Sequence, residues 1–193
     1  MNAWALPTTA RFGGRAYALN TDYRDVMGIF AWLNGEAGQE LSVGERWYVA
    51  LNLFYRDFAA MPKEQYAAAT EYLNDFLSAG RAPEPGGSAQ KAPRLIDWEQ
   101  DAPMIAAGVN KVAGCDIRAM PYVHWWTFRA WYDAMGEGTL STVVGIREKL
   151  HRGKRLEGWE LEYYRTHRAE IELRPRITQA ERAERARLNA LLK

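Results

Sequence analysis

Apolar side chains recur at helical spacing over most of the chain. In residues 20–35, Val26, Ile29, Phe30 and Leu33 stand at i, i+3, i+4 and i+7, one stripe of an amphipathic helix. Thr21 or Asp22 is placed to cap its start, and Asn34-Gly35 to stop it. Over residues 41–62, Val43, Trp47, Ala50, Leu51, Phe54 and Phe58 form a broad apolar face, and Ser42 with Glu45 has the spacing of a capping box. Pro62 opens a third helix that runs to Gly80, with Tyr66, Ala69, Leu73, Phe76 and Leu77 inward. The link around Met61 is short enough to make these two an antiparallel pair. Residues 8–19 break the helical period. Gly13 and Gly14 both tolerate φ > 0, which a two-residue hairpin turn needs, so Thr8, Ala10 and Phe12 share a face with Arg15, Tyr17 and Leu19. A lone hairpin is marginal in water, so this one must lie on helices or pair with another chain.

The periodicity stops at residues 81–94, which hold three prolines and two glycines and read as a flexible linker. The expected organisation is a hairpin plus helical unit at 1–80, the linker at 81–94, and a helical unit at 95–193, the two folding apart or packing as one domain. In the second half the pattern predicts helices over 97–114, from Pro121 to Gly136, over 139–154, and over 157–173 with Pro175 as a breaker. A last helix over 178–193 has Thr178 and Glu181 as a second capping box. The fold class is therefore mainly α, a helical bundle with an N-terminal β-hairpin.

The segment HWWTFRAWYDAM, residues 124–135, is the most aromatic of the chain. On a helix of 100° per residue, Trp125, Phe128, Tyr132 and Met135 line one stripe, with His124 and Trp131 beside it. That stripe is a core face, and the expected core contains Trp47, Phe54, Leu73, Trp125, Phe128 and Trp131. Trp126 falls on the opposite side with Arg129 and Asp133. Either the linker or the C-terminal helix covers it, or it anchors a partner, since Trp and Arg dominate interface hot spots.

Composition adds little until charge is read along the chain. Apolar residues make up 48% and charged residues 25%, with a net charge of +1, ordinary for a globular protein and no global argument for nucleic acid or membrane. Residues 147–193, however, hold 13 basic and 8 acidic side chains. Arg165, Arg168, Arg174, Arg176, Arg182, Arg185 and Arg187 invite a nucleic-acid reading, but Glu170, Glu172, Glu181 and Glu184 are interleaved with them. Pairs such as Glu181 and Arg185 sit at helix spacing and neutralise each other, so a solvated face is the simpler reading. No run approaches a membrane span, and the first residues lack the basic start and apolar stretch of a signal peptide.

Chemistry is sparse. His124, His151 and His167 share no ligand spacing with each other or with Cys115, so no zinc site is expected. Cys115, the one cysteine, sits in a turn with nothing to activate it and reads as a half-buried structural thiol. Glu160 and Glu162 look like solvated charges. The glycine loops RFGG and GEGTLS lack the frame of a phosphate cradle. No nucleophile, base and oxyanion set assembles, so neither an enzyme nor a cofactor is expected.

ALPTTARFGGRAYALNTDYRDVM (5–27) and DWEQDAPMIAAGVNKVAGCDIRAMPYVHWWTFRAWYDAM (97–135) resemble the bacteriophage gene-product-fifteen family of siphophages and prophages. The shared features are the hairpin leading into Asn20, Thr21, Asp22, Tyr23 and Arg24; the turn at Asp116 and Ile117; and the core of His124, Trp125, Trp126 and Phe128. The resemblance implies a tail-region protein without catalytic residues, acting as a tail assembly chaperone that holds the tape measure soluble while tail subunits polymerise. Its expected place is the cytoplasm of the infected or lysogenic host, or the virion tail. Two alternatives stay open: a structural or tail-completion component of the virion, and a nucleic-acid-associated phage protein acting through the basic C-terminal helices. Self-association is open as well. The residues expected to meet a partner are Trp126 and Arg129, then Arg182 and Arg185 on the basic tail.

Overall fold

The computed structural model describes residues 4–34, 37, 38, 40–81, 93–175 and 187. The expected linker lies outside these except at its ends, and Arg182 and Arg185 lie outside them too, as does the last expected helix apart from residue 187. The fold is mainly α, with eight α-helices and one antiparallel hairpin among the described residues. The described residues fall into two compact units, one of residues 4–81 with 175 and 187, and one of residues 93–174.

The first unit opens with strands β1 (Thr9–Phe12) and β2 (Arg15–Ala18), joined through Gly13 and Gly14 at φ 57° and 73°. Ala10 stands opposite Tyr17 and Phe12 opposite Arg15, the register expected from the turn. Ala10 and Tyr17 are buried, and the Tyr17 hydroxyl donates to Gln65 Oε1 at 2.5 Å, so the hairpin lies on the helices that follow. These are α1 (Tyr23–Asn34), α2 (Val43–Phe54) and α3 (Tyr66–Leu77). The Ser42–Glu45 capping box starts α2. Val26, Ile29, Leu51, Phe54, Leu73 and Phe76 form the buried centre, with the Phe54 and Phe76 rings 4.8 Å apart.

Three expectations fail here. Helix α2 stops at Phe54 rather than running to 62. Asn20 donates its backbone N–H to the Phe54 carbonyl and its side-chain amide to the Leu53 carbonyl, both at 2.8 Å, and so takes two of the acceptors left open at a helix end. Tyr55 turns extended, bridges Leu19, and donates its hydroxyl to the Ala69 carbonyl at 2.9 Å. Val43, placed in the first turn, is 69% exposed, and Trp47 is only partly buried.

The second unit contains α4 (Ala102–Ala113), α5 (Trp125–Asp133), α6 (Thr139–His151), α7 (Gly158–Thr166) and the one-turn α8 (Arg168–Ile171). Gly114 ends α4 in the left-handed conformation at φ 71°. The charged helix expected over 157–173 is interrupted at His167, whose ring stacks on Tyr163 at 4.1 Å. The break lets Ile171 turn inward onto Val143 and Ile146.

The unit is held at one point by a buried ion pair. The Arg147 guanidinium grips the Asp101 carboxylate in a two-pronged contact at 2.7 and 2.8 Å, with side chains 4% and 0% exposed. Its remaining N–H groups donate to the carbonyls of Leu95, Glu170 and Ile171 at 2.7–2.8 Å. All five guanidinium donors are used, tying together the segment before α4, the N-cap residue of α4 and the end of α8.

Candidate protein-binding groove

Helix α5 places the aromatic cluster. His124 caps it: its Nδ1 accepts the Trp126 backbone N–H at 3.0 Å, and its ring is buried. The cap explains why α5 begins at Trp125 and not at Pro121. Trp125 and Phe128 are buried and stacked at 5.6 Å, and Trp98 packs on Trp125 and Tyr132 at 6.3 and 5.3 Å. Trp131, expected in this core, is only partly buried; it lies beside the main stripe, which Trp125 and Phe128 fill.

Trp126 is partly buried. Arg129, one turn later, is engaged on its own helix: it pairs with Asp133 at 3.2 Å and its guanidinium lies 5.1 Å from the centre of the Tyr132 ring. Burial pushes the Tyr132 phenol above its ordinary range, with Arg129 pulling the other way. Trp126 and Arg129 are thus neighbours, while Arg182 and Arg185 lie outside the described residues.

A groove of about 770 Å³ opens beside this helix, between α4, the end of α5 and the start of α6. Met104, Ala107, Met135, Leu140 and Val144 supply its apolar floor, and Lys111, Asp133, Glu137 and Glu170 stand among its polar lining. At Gly108 α4 meets the Met135 side chain, whose thioether occupies the place a Cβ would take. Neither Trp126 nor Arg129 lines the groove. Sequence reasoning missed it because its wall is shared by three elements, although Met135 on the inward stripe and the small Ala107–Gly108 pair were signals of close approach. A volume in this range, with apolar side chains set among polar ones, suits side chains of a bound partner.

Two polar side chains elsewhere stand differently from the sequence expectation. Glu160, expected in solvent, is buried at 5% exposure: it accepts from Lys149 Nζ at 2.6 Å and from the Glu157 N–H at 2.8 Å, closing the first turn of α7. The Lys149 ammonium and the Glu157 amide hold its carboxyl below the usual carboxylate range. Cys115, expected half-buried, is exposed, because it follows the α4 cap on the outside of the turn. Among the described residues no group of three or more His, Cys, Asp or Glu side chains is placed to hold a metal ion. No described helix is long and apolar enough to cross a membrane.

The family described as Bacteriophage Gp15 protein matches residues 5–173. No curated protein and no solved structure matches the chain.

Proposed function

The chain belongs to the Bacteriophage Gp15 protein family and is a bacteriophage protein; on that premise we propose that it is a tail assembly factor that binds a helical tail partner, foremost the tape measure, and performs no chemistry. It works in the cytoplasm of the host before the tail closes. The observation that carries this reading is the groove between α4, α5 and α6, an open apolar floor with a polar rim. A tape measure exposes long apolar helical stripes until tail subunits enclose it, and a helix laid in an apolar groove is a general way to cover such a stripe. Trp126 is a second contact point on the adjoining helix, and Arg129, already paired with Asp133, positions the rim.

Co-expression tests it. The tape measure should be more soluble with this chain than without it, and the two should co-purify at low salt. Equal solubility with and without the chain, together with no co-purification, overturns the proposal. Replacing Trp126 by Ala should weaken co-purification while the chain stays folded; unchanged co-purification, or a variant that unfolds, removes Trp126 from the partner surface.

A further inference from the structure

The groove is electrostatically one-sided, and that restricts what fits it. At one end α5 terminates in Asp133, which is paired with Arg129. Glu137 follows in the loop to α6, just before that helix's N-terminus. Glu170, in α8, also lines the groove. Asp133 is paired with Arg129, whereas Glu137 and Glu170 have exposed carboxylates with no ion pair among the described residues. Among the described residues Lys111 is the single basic one in the groove lining.

We propose that this groove accepts a basic amphipathic helix from a partner protein: a narrow apolar stripe on the floor of Met104, Leu140 and Val144, flanked by Arg or Lys side chains that meet Glu137 and Glu170. The inference rests on the assembly-factor reading and adds the chemistry of the partner segment. An acidic helix is disfavoured, because its flanking carboxylates face Glu137 and Glu170 with Lys111 alone among the lining side chains to offset them. A second copy of this chain is the competing occupant.

Two labelled helical peptides of about 18 residues serve as probes, with the same Leu stripe at i, i+3, i+4 and i+7, one flanked by Arg and one by Glu. Fluorescence anisotropy with the full chain should show the Arg peptide binding at least about tenfold more tightly than the Glu peptide, with the difference shrinking at high salt. Glu137→Lys combined with Glu170→Lys should weaken the Arg peptide about tenfold; both positions are exposed, so folding is spared. Ala107→Trp, also at an exposed position, should fill the groove and abolish binding with melting unchanged. Equal binding of the two peptides, or binding that survives Ala107→Trp, overturns the proposal, as does a concentration-dependent dimer that Ala107→Trp dissolves. If the tape measure still needs the chain for solubility and the groove variants keep that effect, this inference fails and the assembly reading stands. If the Arg peptide seats in the groove and the tape measure is indifferent to the chain, the assembly reading fails instead.

Discussion

Replacing Arg147 by Met keeps most of the side-chain volume and deletes every polar contact of the guanidinium. Asp101 is then left fully buried as a carboxylate whose remaining partner is the Asp97 backbone N–H at 2.9 Å. Removing one member of a buried pair costs about 3–5 kcal/mol, since the other charge stays desolvated without compensation. The carbonyls of Leu95, Glu170 and Ile171 lose their donor as well. An orphaned buried acceptor costs about 1–3 kcal/mol, but Glu170 is exposed and water replaces part of that loss. The expected net cost is about 4 kcal/mol. A unit of this size loses about 4–8 °C per kcal/mol, so its melting temperature should fall by roughly 15–30 °C. Lys at the same position keeps the charge with three donors in place of five and should recover only part of the loss. Combining Arg147→Met with Asp101→Leu removes the stranded carboxylate and should be less damaging than Arg147→Met alone. Urea denaturation followed by near-ultraviolet circular dichroism reports on Trp98 and Trp125 in the same unit. Wild-type-like unfolding of Arg147→Met, or a double variant no more stable than the single one, would refute the view that this contact holds the unit together.

Phe54→Ala should destabilise the first unit by about 3–5 kcal/mol, because the ring is wholly buried against Phe76 and Tyr55 and leaves a cavity; a shift of less than about 1 kcal/mol in urea titration would show that the site collapses. Acid should weaken the second unit in particular. At Asp97 burial opposes ionisation, but the Gln100 amide, Arg94 and the Glu99 amide outweigh it; Glu160 is held low by Lys149, and Glu172 by the Tyr164 hydroxyl and Arg168. All three carboxyls bind protons less readily folded than unfolded, so their contribution is complete above the ordinary carboxylate range of about pH 4 and is lost as pH falls below it. Urea midpoints that stay level from about pH 7 down to about pH 3 would contradict this.

Short-range spacing determined much of the fold. The Ser42–Glu45 box, the glycines at 80 and 114, and the turn at Gly13-Gly14 act within a few residues, and each stops, starts or registers an element where the sequence places it. The inward faces at Val26–Ile29, Leu73–Phe76 and Trp125–Phe128 follow from the same helical period, because a stripe of apolar side chains has one favourable direction to point. What tertiary structure decided lies beyond that range. Asn20 ends α2 from 33 residues away, and the resulting extended Tyr55 belongs to the hairpin instead of the helix. Arg147 reads as one more cation in a basic segment until the fold sets it against Asp101, 46 positions earlier. Glu160 becomes buried only because α6 delivers Lys149 to it. The groove exists only once α4, α5 and α6 are placed side by side. A charged side chain has no periodicity of its own: its burial depends on whether a distant partner arrives to offset desolvation, and that is a property of the assembled chain.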